Sequence, residues 1–160
     1  MRTKIYFQIK KKFFLHVLLL SVCFIFWNIA STLFINKFTG IKLGSENKFD
    51  SNLEAFFVAI VFAPIFETLL FQFLIIYQTH ESYKGKYVKQ LSIFISSVLF
   101  GLSHFYSIYY VLFALVAGYI LATSFYYFKE KTNYLSAIFY ITLVHLLSNL
   151  FVFIVKIYES

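Results

Sequence analysis

Apolar positions fall into five long runs, residues 13–35, 53–78, 91–106, 108–128 and 135–157, separated by short polar segments. A helix needs ~20 residues to cross the hydrocarbon of a bilayer, and most of the runs reach that length. None alternates apolar and polar positions like a barrel strand. Lipid offers backbone groups no partners, so each run is predicted to be helical. The third run is the shortest and meets the fourth around Tyr106, Ser107 and Ile108, which predicts a tight helical hairpin. The pattern therefore predicts an all-α fold, a polytopic membrane helical bundle of about five transmembrane helices, forming one domain over residues 1–160. Pro64, in the second run, removes a backbone donor and clashes one turn back, which predicts a kink and a freed carbonyl beside it. The segment 36–52 is the only sizeable polar connection, and no internal repeat stands out.

Composition agrees. The chain is 61% hydrophobic and 13% charged, with a mean hydropathy of +0.78, which excludes an ordinary soluble domain. The net charge of +7 does not imply nucleic acid, because the lysines flank the apolar runs and form no basic stripe elsewhere. Ten basic residues fall on one side: Arg2, Lys4, Lys10, Lys11, Lys12, Lys84, Lys86, Lys89, Lys129 and Lys131. Four fall on the other: Lys37, Lys42, Lys48 and Lys156. This asymmetry places the N-terminus in the cytoplasm and the C-terminus outside. The first run is long for a signal peptide, and Trp27 and Asn28 are poor flanks for a cleavage site near Ala30, so it is read as an uncleaved span. Cys23 is the only cysteine, so there is no disulfide framework and no cysteine metal cluster. It is assigned to lipid contact or packing.

Against this apolar background four polar side chains stand out: Glu67, His104, His145 and Asn149. An ionisable group inside a membrane is costly and marks a functional site by default. At the helical rise, Glu67 lies ~16 Å from the cytoplasmic end of its run, His145 ~15 Å and His104 ~20 Å. These depths agree, so the groups are expected to converge on one polar cavity near mid-membrane. His145 and Asn149 are spaced i, i+4 and share a helix face, as do Phe100 and His104. His16 and His80 receive no role.

Three motifs carry a resemblance. Pro64 through Gln72 includes Glu67, Phe100 and His104 form Phe-x-x-x-His, and His145 and Asn149 form His-x-x-x-Asn. In this order, each within an apolar run, they resemble the CPBP (Abi) family, the CAAX proteases and bacteriocin-processing enzymes. The likeness covers residues 53–153. The family's first motif reads Glu-Glu-x-x-x-Arg; here Thr68 replaces the second glutamate and Gln72 the arginine. The resemblance implies peptide-bond hydrolysis within a bacterial plasma membrane, acting on a membrane-associated protein or peptide. Glu67 and His104 would activate a water and His145 and Asn149 would bind the oxyanion. No cofactor is favoured. The alternative is a zinc ion held by Glu67, His104 and His145, although the His-Glu-x-x-His signature is absent. Ser103 is set aside as a nucleophile, since adjacent helical residues diverge by ~100° and do not face each other. Two other functions compete: an inactive relative acting as a binding or bacteriocin-immunity protein, and a small proton or ion carrier.

Overall fold

The computed structural model describes residues 2–40, 51–105 and 107–159, so most of the 36–52 connection lies outside them. Among the described residues all regular structure is helical. Helix α1 is Arg2–Thr39, α2 is Asn52–Ser82, α3 is Val88–Ser103, α4 is Ile108–Lys131 and α5 is Tyr134–Glu159. Four of the five, all but α3, contain a segment long and apolar enough to cross a membrane. The five expected helices are present, and the third, expected to be the shortest, is an apolar helix of 16 residues. The reason lies at the hairpin. His104 leaves helical geometry (φ −100°, ψ 41°), and the Ser107 side chain accepts the Tyr110 N–H at 3.1 Å to start α4. Capping groups therefore end one helix and begin the next inside what reads as apolar sequence.

Helix α4 is the most buried element, with Leu121, Ala122, Phe125 and Phe128 all fully enclosed. It pairs most extensively with α3. Small residues allow this. A Cβ on Gly101 would sit 3.0 Å from Leu115 Cα, and one on Gly118 would sit 3.0 Å from Phe100 Cβ. Glycine at both positions lets the helices close around Phe100.

Helix α1 docks through Val17, Ser21, Phe24, Ser31 and Ile35, which are buried, with Asn28 half-buried between them. The steps of four and three residues keep these on one helix face. Cys23 is exposed on the apolar exterior.

Helix α2 is not a uniform α-helix. A π-helical stretch, Phe56–Phe62, precedes the α-helical turn Ala63–Glu67, and a second, Thr68–Leu74, follows it. The expected disturbance at Pro64 is present, in the form of widened turns on both sides. The Ala63 N–H reaches back five residues to Val58 O. In that register residue 64 would pair with Ala59 O, but Pro64 has no N–H to give.

Contacts at one end of the bundle bring the basic segments together. Lys89 at the start of α3 lies 3.2 Å from Glu130 near the end of α4. Phe13 and His16 of α1 meet Phe128 and Tyr127. Thus the α2–α3 connection, the α4–α5 turn and the basic start of α1 share one end.

Candidate active site

Glu67 closes the short α-helical turn between the two π-helical stretches of α2. From Glu67 to the end of α2 is ~22 Å, and α3 returns ~24 Å from Val88, so His104 arrives at the level of Glu67. The short length of α3 is what places His104 there. His145 comes to the same level from α5.

The carboxylate lies between the two imidazoles. Glu67 Oε2 is 3.7 Å from His104 Nε2 and 3.7 Å from His145 Nε2. Both separations exceed a direct hydrogen bond, which spans ~2.7–3.2 Å, and suit one bridging water or a reacting group. Oε2 is buried and has no hydrogen-bond partner among the described residues, while the Glu67 side chain keeps 20% exposure, so the site opens on one side.

His104 is oriented by the end of its own helix. Its Nδ1 lies 2.8 Å from Phe100 O and 3.1 Å from Ser103 Oγ. A carbonyl only accepts, so in the neutral ring Nδ1 carries the proton and Nε2 presents a lone pair toward Glu67. Ser103 therefore does face His104, contrary to the helical-wheel argument. That argument assumed a continuing helix, and the chain leaves helical geometry at His104. Ser103 Oγ meanwhile donates to Phe100 O at 2.7 Å and meets the imidazole at the nitrogen remote from Glu67.

Phe100 is the hub of the arrangement. Its ring stacks on His104 at 4.6 Å and packs against His145 at 6.0 Å and Phe71 at 5.6 Å. His145 is enclosed, and its Nδ1 is buried without a hydrogen-bond partner among the described residues.

Asn149 is placed differently. Its Nδ2 donates to Ala59 O at 2.8 Å, the carbonyl that Pro64 leaves unpaired. Of the four polar residues read from the sequence, the structure brings Glu67, His104 and His145 into mutual contact. It sets Asn149 as a clamp from α5 to α2, with one amide N–H and the amide oxygen still uncommitted. Thr68 and Gln72 are fully buried, and neither Thr68 Oγ1 nor either Gln72 amide atom has a partner among the described residues. His16 stacks on Tyr127, and His80 packs against Tyr126, both away from the carboxylate. Among the described residues no group of three His, Cys, Asp or Glu side chains is arranged to hold a metal ion. Sequence reasoning missed Asn28, which donates to Ser148 Oγ at 3.0 Å, because an amide in the first run reads only as a break in hydrophobicity.

Residues 49–151 match the model of the Rce1-like family, described as type II CAAX prenyl endopeptidase Rce1-like. The chain belongs to that family. No curated protein and no solved structure matches it significantly. The match covers α2 to most of α5, which is the part of the chain that carries the carboxylate and both histidines. With its four long apolar helices, this family member is an integral membrane protein.

Proposed function

We propose that this chain is a glutamate-dependent intramembrane endopeptidase that hydrolyses a peptide bond of a membrane-associated protein or peptide. The observation that supports it is the position of Glu67 Oε2, 3.7 Å from the Nε2 atoms of both His104 and His145, in a chain of an endopeptidase family. A water seated between Glu67 and His104 finds two acceptors, the carboxylate oxygen and the Nε2 lone pair, and is polarised by both. Its oxygen attacks the peptide carbonyl carbon. Glu67 accepts one of its protons and returns it to the leaving nitrogen as the C–N bond breaks. His145 Nε2, when protonated, and the free N–H of Asn149 are the donors assigned to the oxyanion of the tetrahedral intermediate. The scheme uses no metal and no covalent nucleophile.

Purified protein in detergent, offered a peptide library, tests this. Wild type is expected to cleave, and Glu67→Gln to remain folded while losing turnover, because the amide keeps the shape but accepts no proton. Glu67→Gln cleaving at the wild-type rate would falsify the mechanism. Loss of activity on chelation, restored by zinc, would recast Glu67, His104 and His145 as ligands. Cleavage by neither protein would favour a binding role for the same site.

A further inference from the structure

We propose that Asn28 of α1 is a positioning residue for His145, so that the active site extends to a helix preceding the family-matched residues 49–151. The proposal rests on the peptidase reading of the site. Its geometric basis is independent of that reading.

Among the described residues His145 has no polar orienting partner at its second ring nitrogen, since Nδ1 is buried and unbonded. Functional histidines are generally set by a hydrogen bond at that nitrogen. Here the ring is set by its walls. Phe24 of α1 stands edge-on at 6.2 Å, and Phe100 of α3 closes another side at 6.0 Å. The direction in which Nε2 points therefore depends on how α1 and α5 are registered.

One side chain fixes that register. Asn28 Nδ2 donates to Phe24 O at 3.1 Å and to Ser148 Oγ at 3.0 Å. Phe24 is the residue whose ring meets His145, and Ser148 is three residues beyond His145 on the same face of α5. A single amide thus ties the backbone of the wall to the helix of the imidazole. Ser148 is fully buried, so water does not compete for the bond. Its neighbour Asn149 ties α5 to α2 at Ala59 O, and together the two amides hold α5 from both sides. His104 needs no such arrangement, because Phe100 O sets it directly.

The test uses the full chain with Asn28→Ala, Ser148→Ala and the double variant, and Ser21→Ala as control. Ser21 lies on the same inward face of α1, but its hydroxyl donates to Val17 O within its own helix. The first three variants are expected to lose kcat by about tenfold, with KM within about twofold of wild type, and the double to lose no more than either single. The control is expected to match wild type. Imidazole nitrogen resonances of His145 should shift in Asn28→Ala and Ser148→Ala and stay put in Ser21→Ala. Unchanged kcat in the folded fraction together with unchanged His145 resonances overturns the proposal. If wild type cleaves nothing, the peptidase reading fails by itself, and the His145 resonances alone still decide the role of Asn28.

Discussion

Asn149 is a scaffold residue to which the proposed mechanism adds a second role. Its amide occupies the carbonyl that Pro64 orphans, at 2.8 Å from Ala59 O. An unpaired carbonyl inside a membrane protein is costly, so this bond stabilises the site as well as any oxyanion contact. Asn149→Ala is expected to cost ~1 kcal/mol of stability, the scale of an interhelical hydrogen bond in a membrane. It should also slow turnover, with the barrier rising by ~3–4 kcal/mol if the free N–H serves the oxyanion. The two effects separate in Pro64→Ala/Asn149→Ala. Alanine at 64 restores a backbone N–H for Ala59 O, so stability should recover in thermal unfolding while turnover stays low. Recovery of neither would mean that the Ala59 carbonyl is not what Asn149 satisfies.

At the scale of the element, α2 carries the most information. Its buried residues Ile60, Pro64, Thr68, Gln72 and Ile76 recur at every fourth position. In an ideal α-helix that stripe drifts by ~40° per step, or ~160° over its length. The wider π-helical turns remove the drift and keep all five toward the bundle. Glu67 then sits beside the stripe, facing the histidines, whereas Thr68 and Gln72 face the core. The two positions at which the resemblance implies a departure from the family motif are therefore next to Glu67 in sequence and buried in the core in space. Relative to that implied motif, a negative and a positive residue are replaced together by neutral ones. Gln72→Arg alone is expected to destabilise the fold by ~3–5 kcal/mol, the cost of an unpaired buried charge. Adding Thr68→Glu should recover most of that in a double-mutant cycle of thermal stability. An additive double variant would show that the two side chains do not meet. At the α3–α4 contact, Gly118→Ala pushes on Phe100 and through it on both imidazoles. We expect a loss of ~1–3 kcal/mol of stability, as for other overpacked interiors. Turnover should fall more than it does in an equally destabilised variant remote from the site.

For the whole molecule, the clustering of basic residues at one end of the bundle motivates an orientation with that end in the cytoplasm. In a Cys23→Ala background, a cysteine at exposed Ser51 should react with an impermeant thiol reagent from outside, and one at exposed Lys86 should not. The reverse pattern would invert the topology. In this orientation α3 delivers His104 from the basic end of the bundle. The same end carries a cation–aromatic layer, with Lys129 Nζ 4.1 Å from the ring centre of Tyr126 and Lys89 Nζ 4.6 Å from it.

The sequence alone determined the helical state, because apolar length in lipid admits little else, and it singled out the ionisable groups that the fold brings together, because their cost in hydrocarbon makes them conspicuous. Glu67, His104 and His145 were legible for that reason. Helix faces were not. Inside a membrane the inward face is not the more hydrophobic one, so α1, apolar on every side, gave no sign that Ser21, Asn28 and Ser31 point inward. The hairpin between the third and fourth runs was legible, but not that α3 already stops at Ser103, three residues short of the expected junction. Only packing decided these matters. The close approach at Gly101 and Gly118 and the bonds from Asn149 to Ala59 and Asn28 to Ser148 all join residues far apart in the chain. A one-dimensional pattern records the cost of a polar group, and tertiary structure supplies the partner that offsets it.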